Sequence, residues 1–157
     1  MNKPVQSIEP DVENFEYLGL ACRIQRMKKS GHLCGYVQIP RCSPKHPWHG
    51  RKFMLDDRVD VHGGITFSAS APEDWPGGSS SWWIGFDCNH PELGDVAPGK
   101  LEPHLEFMNQ ITGMMQSIVG HQQEWKGTSY RNFEYVKAET KKLAKLVLDE
   151  QNKKKGT

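Results

Sequence analysis

The chain's 157 residues include 20 Lys and Arg against 19 Asp and Glu, a net charge of +1, and this balance supplies no field for gathering duplex nucleic acid. A composition of 36% hydrophobic and 25% charged residues is that of a soluble globular chain, long enough to bury one core as a single domain over residues 1–157. No stretch is apolar enough to cross a bilayer, so no membrane partner is expected.

Residues 1–14, MNKPVQSIEPDVEN, form a polar leader without the apolar stretch or cleavage pattern of a secretory signal, which points to the cytoplasm. Cys22, Cys34, Cys42 and Cys88 follow no CxxC spacing, so thiols are expected rather than a zinc ribbon or disulfides. Residues 15–39 read as a β-hairpin. FEYLGLACRIQRM places Leu18, Leu20, Cys22 and Ile24 on one face, KKSGH turns, and LCGYVQI returns with Leu33, Val37 and Ile39 facing one way and Cys34, Tyr36 and Gln38 the other.

Residues 40–58 are rich in Pro, His and Gly and read as a loop. Within them KHPWHG, with His46 and His49 about Trp48, is either a lid or a mobile loop with incidental histidines. A third strand is expected at DVHGGITFSAS, a Gly/Ser/Pro loop over residues 70–80, and a fourth strand at SWWIGFDC.

Leu105, Met108, Ile111, Met115 and Ile118 predict a helix over residues 103–119, its Met-rich stripe being either core or a surface for a partner. A second helix is expected from Thr128 or Ser129 to about Gln151, with Phe133, Val136, Thr140, Leu143 and Val147 on one stripe. The basic run Lys153 to Lys155 falls in a flexible tail, residues 152–157. The fold class is therefore α+β, an antiparallel sheet of about four strands with one or two helices packed on one face.

Alternation also sorts the chemistry. Val61, Ile65 and Phe67 share one side of the third strand, leaving His62, Gly64, Thr66 and Ser68 on the other. Trp82, Ile84, Phe86 and Cys88 share the apolar side of the fourth, with Trp83, Gly85 and Asp87 opposite. If the two strands pair, His62, Thr66, Trp83 and Asp87 line a polar wall, with glycines 63, 64 and 85 admitting a ligand close to the backbone. Tyr36 and, from the last helix, Glu139 are further candidates to contact a ligand. Beyond the strand Asp87, His90 and Asp95 lie on a turn where, with His62, they could hold a divalent metal or poise a water. Asp87, Asn89 and Pro91 equally describe a strand-ending turn, and Glu139 a solvated helix face. No HExxH, Walker, Rossmann or GxSxG pattern occurs.

GHLCGYVQIP with the nearby HP, DVHGGITFS, WWIGFDCNHPELGD and YRNFEYVKAE, in this order over residues 17–148, resemble the successive blocks of a small protein family common in tailed-phage genomes. The resemblance implies a phage-encoded accessory protein in the host cytoplasm, and it matches His62, Asp87, His90, Asp95 and Glu139 to the family's polar positions. This chain departs from it near Glu92 and Leu93, which stand as added residues, and over residues 100–126, which are expanded. The expectation that follows is a hydrolase acting on a small nucleotide-like or phosphorylated ligand. In it His62, Asp87 and His90 are catalytic, Asp87, His90 and Asp95 the metal ligands if a metal is used, and Thr66, Trp83, Tyr36 and Glu139 contact the ligand. The alternatives are a protein that sequesters a host signalling nucleotide, an inhibitor that blocks a host defence enzyme by surface contact, or a cluster that only stabilises the strand end.

Overall fold

The computed structural model describes residues 9–41, 45–54, 57–95 and 130–155. Cys42, the helix expected over residues 103–119 and the Thr128–Ser129 cap lie outside the described residues. Five strands, β1 (Val12–Tyr17), β2 (Leu20–Arg26), β3 (Leu33–Gln38), β4 (Phe67–Ser70) and β5 (Trp82–Asp87), form one sheet in the order β1-β2-β3-β5-β4. Every neighbouring pair is antiparallel. One helix, α1 (Phe133–Lys155), packs over β2 and β3, giving the expected α+β architecture.

The first strand read from the sequence is two. Leu18 and Gly19, at φ 54° and 81°, make a two-residue turn that closes β1 on β2 with Tyr17 opposite Leu20. Positive φ at both positions is the primed turn that suits a hairpin's twist. A two-residue turn keeps the alternation in step, so the apolar pattern runs through it unbroken and hides it.

The main core lies between sheet and helix. Leu20, Cys22 and Ile24 of β2, Leu33 and Val37 of β3, and Ile84 and Phe86 of β5 meet Val136, Leu143, Ala144 and Val147 of α1. Thr140 sits fully buried in this stripe and donates its hydroxyl to the Val136 carbonyl at 2.7 Å, which removes the penalty of burying it. Gly35 is what lets α1 approach β3, because a Cβ there would collide with Thr140 Oγ1 and the Phe86 ring. The helix begins later and ends later than expected. Asn132 Oδ1 accepts from the Tyr135 amide at 2.9 Å as the N-terminal cap, and the helix continues through Lys155.

Two loops are better packed than their composition suggests. In KHPWHG, His46 Nε2 donates to the Val147 carbonyl at 2.7 Å while its Nδ1 accepts from the Trp48 amide at 2.9 Å, and Trp48 enters the main core. This segment is a plug against α1, not a lid. The loop after β4 folds Ala71 and Trp75 over the far side of the sheet, making a small second core with Cys34, Tyr36 and Trp83. Cys22, Cys34 and Cys88 are free and buried. Burial pushes the Cys22 and Cys34 thiols up to about 12, so neither is a nucleophile at neutral pH. No helix among the described residues is long and apolar enough to cross a membrane.

Candidate functional site

His62 does not stand on a strand. Residues 61–64 form a turn in which the Gly64 amide bonds to the Val61 carbonyl at 2.8 Å, and regular pairing starts only at β4. The register sets Phe67 opposite Gly85, which places Phe67 on the Trp83 side of the sheet, contrary to the alternation read from the sequence. The adjacent glycines interrupt the strand and re-aim the residues before it.

The turn instead delivers His62 to α1 and to the segment after β5. His62 Nε2 donates to Asp95 Oδ2 at 2.8 Å and Nδ1 accepts from the Tyr135 hydroxyl at 2.8 Å, while the His62 amide donates to Glu139 Oε1 at 2.9 Å. Asp95, whose side chain is 1% exposed, also receives the His90 amide at 2.9 Å and Arg131 Nε at 2.8 Å. Burial alone would raise the Asp95 carboxyl, but the donors from His62, Arg131 and the His90 amide outweigh it and hold the group below the usual carboxylate range. Burial, with the Glu139 charge nearby, raises the Tyr135 hydroxyl, which therefore keeps its proton and serves as a donor.

A second imidazole–carboxylate pair abuts the first. His90 Nε2 lies 3.1 Å from Asp87 Oδ1 and its Nδ1 2.9 Å from Glu92 Oε1, and its ring centroid is 6.0 Å from that of His62. Asp87 further accepts from the Thr66 hydroxyl at 2.8 Å and the Asn89 amide at 3.2 Å. Asp87 is thus both the capping residue of the strand-ending turn and the partner of His90.

His90 can sit where it does because Gly63 has no side chain. At φ 70°, a Cβ on Gly63 would fall on the His90 imidazole, whereas one on Gly64, at φ 77°, would meet open space. We expect Gly63→Ala to cost about 1 to 3 kcal/mol and to displace the His90 ring, moving its side-chain NMR resonances. Gly64→Ala should carry the backbone strain alone and leave those resonances in place. Equal shifts in the two variants would mean that His90 is not seated on Gly63.

Gly63, Gly64 and Thr66, with Lys52, Phe53, Met54, Asp57, Ile65, Phe67 and Ser68, line a depression of about 450 Å³. Its walls are mixed. Phe53, Ile65 and Phe67 are apolar, and Thr66 links it to Asp87. Its charged lining residues are engaged, since Lys52 donates to the Ser68 carbonyl at 3.1 Å and Asp57 pairs with Arg51 at 2.7 Å.

Of the residues predicted from sequence, His62, Asp87, His90, Asp95, Thr66 and Glu139 come together as one connected cluster. Trp83 and Tyr36 do not join it. Trp83 is fully buried, its indole Nε1 donates to Ser81 Oγ at 2.9 Å, and its ring packs against Trp75. Tyr36 is enclosed by Phe67 and Trp75. Neither can stack a guest, and Gly85 makes room for the Tyr36 ring rather than for a ligand.

The metal reading of Asp87, His90 and Asp95 gains no support from their arrangement. Among the described residues no three His, Cys, Asp or Glu are arranged to hold an ion. Asp95 is turned to His62 and Arg131, and Asp87 to His90 and Thr66, so the carboxylates address cationic and hydroxyl donors separately. Arg131 and Tyr135 were missed. Their signal was the spacing of Tyr135 and Glu139, four residues apart on one side of α1, with Arg131 just ahead of the Asn132 cap. Comparison with known proteins finds no family model, no curated protein and no solved structure that matches this chain.

Proposed function

We propose that the protein is a hydrolase of a small nucleotide-like or phosphorylated ligand and that His90, held by Asp87, takes the proton of the attacking water. One observation carries this reading. Two imidazole–carboxylate pairs meet at Gly63, one sealed and one reaching the surface, beside a depression that shares Gly63 and Thr66 with them. The buried Asp95–His62–Tyr135 chain fixes the turn. The outer pair has the parts of a general base: a ring oriented through one nitrogen by a carboxylate, its other nitrogen covered only by Glu92, whose side chain is 67% exposed and easily moved aside. Asp87 offsets the charge on His90 once it holds the water's proton, and the same ring can return that proton to the leaving group. Phe53, Ile65 and Phe67 offer a flat ring its apolar wall. The block resemblance supports a phage-encoded accessory role in the host cytoplasm.

The test is to incubate the protein, with and without EDTA, with a panel of linear and cyclic nucleotides and to follow products by chromatography. His90→Gln and Asp87→Asn should each lower kcat by about 100-fold or more while thermal shift still reports binding. A second reading, sequestration without turnover, is favoured by the fact that both nitrogens of both imidazoles already have protein partners. It predicts that ligand returns intact after denaturation. If no member of the panel is either converted or bound, both readings fail, and an inhibitor that tolerates both substitutions takes their place.

A further inference from the structure

β1 is an outer strand, and among the described residues no strand pairs with its free edge. The Arg26 amide bonds to the Asp11 carbonyl at 2.7 Å, which phases the ladder to β2. Backbone groups alternate in direction along an antiparallel pair. Asp11, Glu13, Phe15 and Tyr17 therefore turn theirs to β2, while Val12, Asn14 and Glu16 aim theirs outward.

Free edges are commonly blunted by Pro, a bulge or charged side chains, Lys above all; VENFEY has no Pro, Lys or bulge, and its charges are Glu13, already paired with Lys137, and Glu16. Exposed apolar groups mark its two ends instead, Val12 at 45% as its first residue and Leu18 at 52% just past its last. Leu18 also holds a φ of 54°, a conformation costly for a bulky side chain, at a turn position where Asn or Gly is the usual choice. Water gives no reason for a leucine there. A contact does.

We propose that β1 pairs antiparallel with β1 of a second copy about a twofold axis at Phe15, joining two sheets into one. A slip by a single residue would reverse the faces, so outward-bonding residues must oppose outward-bonding residues. Centred on Phe15, Asn14 exchanges backbone bonds with Glu16 of the second copy, and Val12 meets Leu18 of that copy.

The charges fit as well. Glu13 pairs with Lys137 at 3.1 Å, and Lys141 Nζ lies 5.2 Å from the Tyr17 ring centroid. Because Glu13 would oppose Tyr17 of the second copy, each Glu13 falls between its own Lys137 and the other copy's Lys141. On the opposite face Asn14 Oδ1 accepts from Arg23 at 3.1 Å, which leaves the Asn14 amide N–H groups as donors for Glu16 across the axis. The register centred on Asn14 instead sets Val12 against Glu16 and Phe15 against Glu13, and leaves Leu18 beyond the paired residues. The body of the helix lies over β2 and β3, and its lysine side chains reach β1, with Lys137 Nζ 5.0 Å from the Phe15 ring centroid.

Light scattering on the eluting full-length chain at about 100 µM, well above a Kd of order 1 µM, should give twice the 17.9 kDa chain mass. Asn14→Pro removes an outward N–H at an edge site that tolerates proline, and should yield a folded monomer with unchanged far-UV circular dichroism. Leu18→Asn suits the left-handed backbone, so it should weaken dimerisation about ten-fold or more without lowering the thermal midpoint of the dilute protein. A wild-type monomer at that concentration overturns the proposal, as does a dimer that Leu18→Asn leaves at wild-type affinity. Should Asn14→Pro fail to fold, the Leu18→Asn result decides.

Discussion

Asp95→Ala is expected to remove about 3 to 4 kcal/mol of folding free energy at neutral pH, read as a lowered midpoint in urea unfolding. The side chain is almost fully enclosed and collects three donors, His62 Nε2, Arg131 Nε and the His90 amide. Removing it leaves those groups facing one another without an acceptor. Because native Asp95 is held below the ordinary carboxylate range, its contribution is complete above the unfolded value of about 3.9 and is lost as pH falls through the lower native value. Wild type and variant should therefore converge only in acid. A loss under about 1 kcal/mol at pH 7 would mean that the donors find water and that the cluster is not closed.

Gly35→Ala should cost about 3 kcal/mol, although alanine ordinarily improves a strand by limiting the unfolded chain. The added methyl meets Thr140 Oγ1 and the Phe86 ring, so either α1 lifts or Phe86 leaves its place in the main core. Combining it with Thr140→Ala clears one of the two obstacles and should recover part of the loss, a non-additivity expected of residues in contact. Calorimetric unfolding of the three variants reads this directly. A neutral Gly35→Ala would show that the helix does not sit as close to β3 as described.

The fold class, the core faces of β2, β3 and β5, and the buried stripe of α1 were all legible, because each rests on a periodicity that burial enforces. What escaped was set by particular turns. The Leu18–Gly19 turn preserves parity and carries a leucine where its geometry asks for asparagine or glycine, so composition gave no warning. The pair Gly63–Gly64 was read as part of a strand, yet it ends the strand's reach and sends His62 to a helix 73 residues away, to Tyr135. That His62, Asp87, His90 and Asp95 come together was nevertheless legible, since a run of carboxylates and imidazoles after an aromatic strand is visible without knowing its geometry. Their roles were not. Trp83 looked available because Trp75, which covers it, sits in a loop with no periodic pattern to mark it as core.

The span of the cluster also bears on how the chain reaches its native state. β1, β2 and β3 are joined by short turns and can zip locally, but the His62 bonds close loops of 33 residues to Asp95 and 73 to Tyr135, whose entropy must be met before any contact repays it. Assembly of the imidazole–carboxylate pairs therefore awaits helix docking, and a collapsed intermediate holding only the meander would be blind to any ligand. On the proposed reading, a nucleotide bound beside Gly63 should then slow unfolding while leaving the early folding phase untouched.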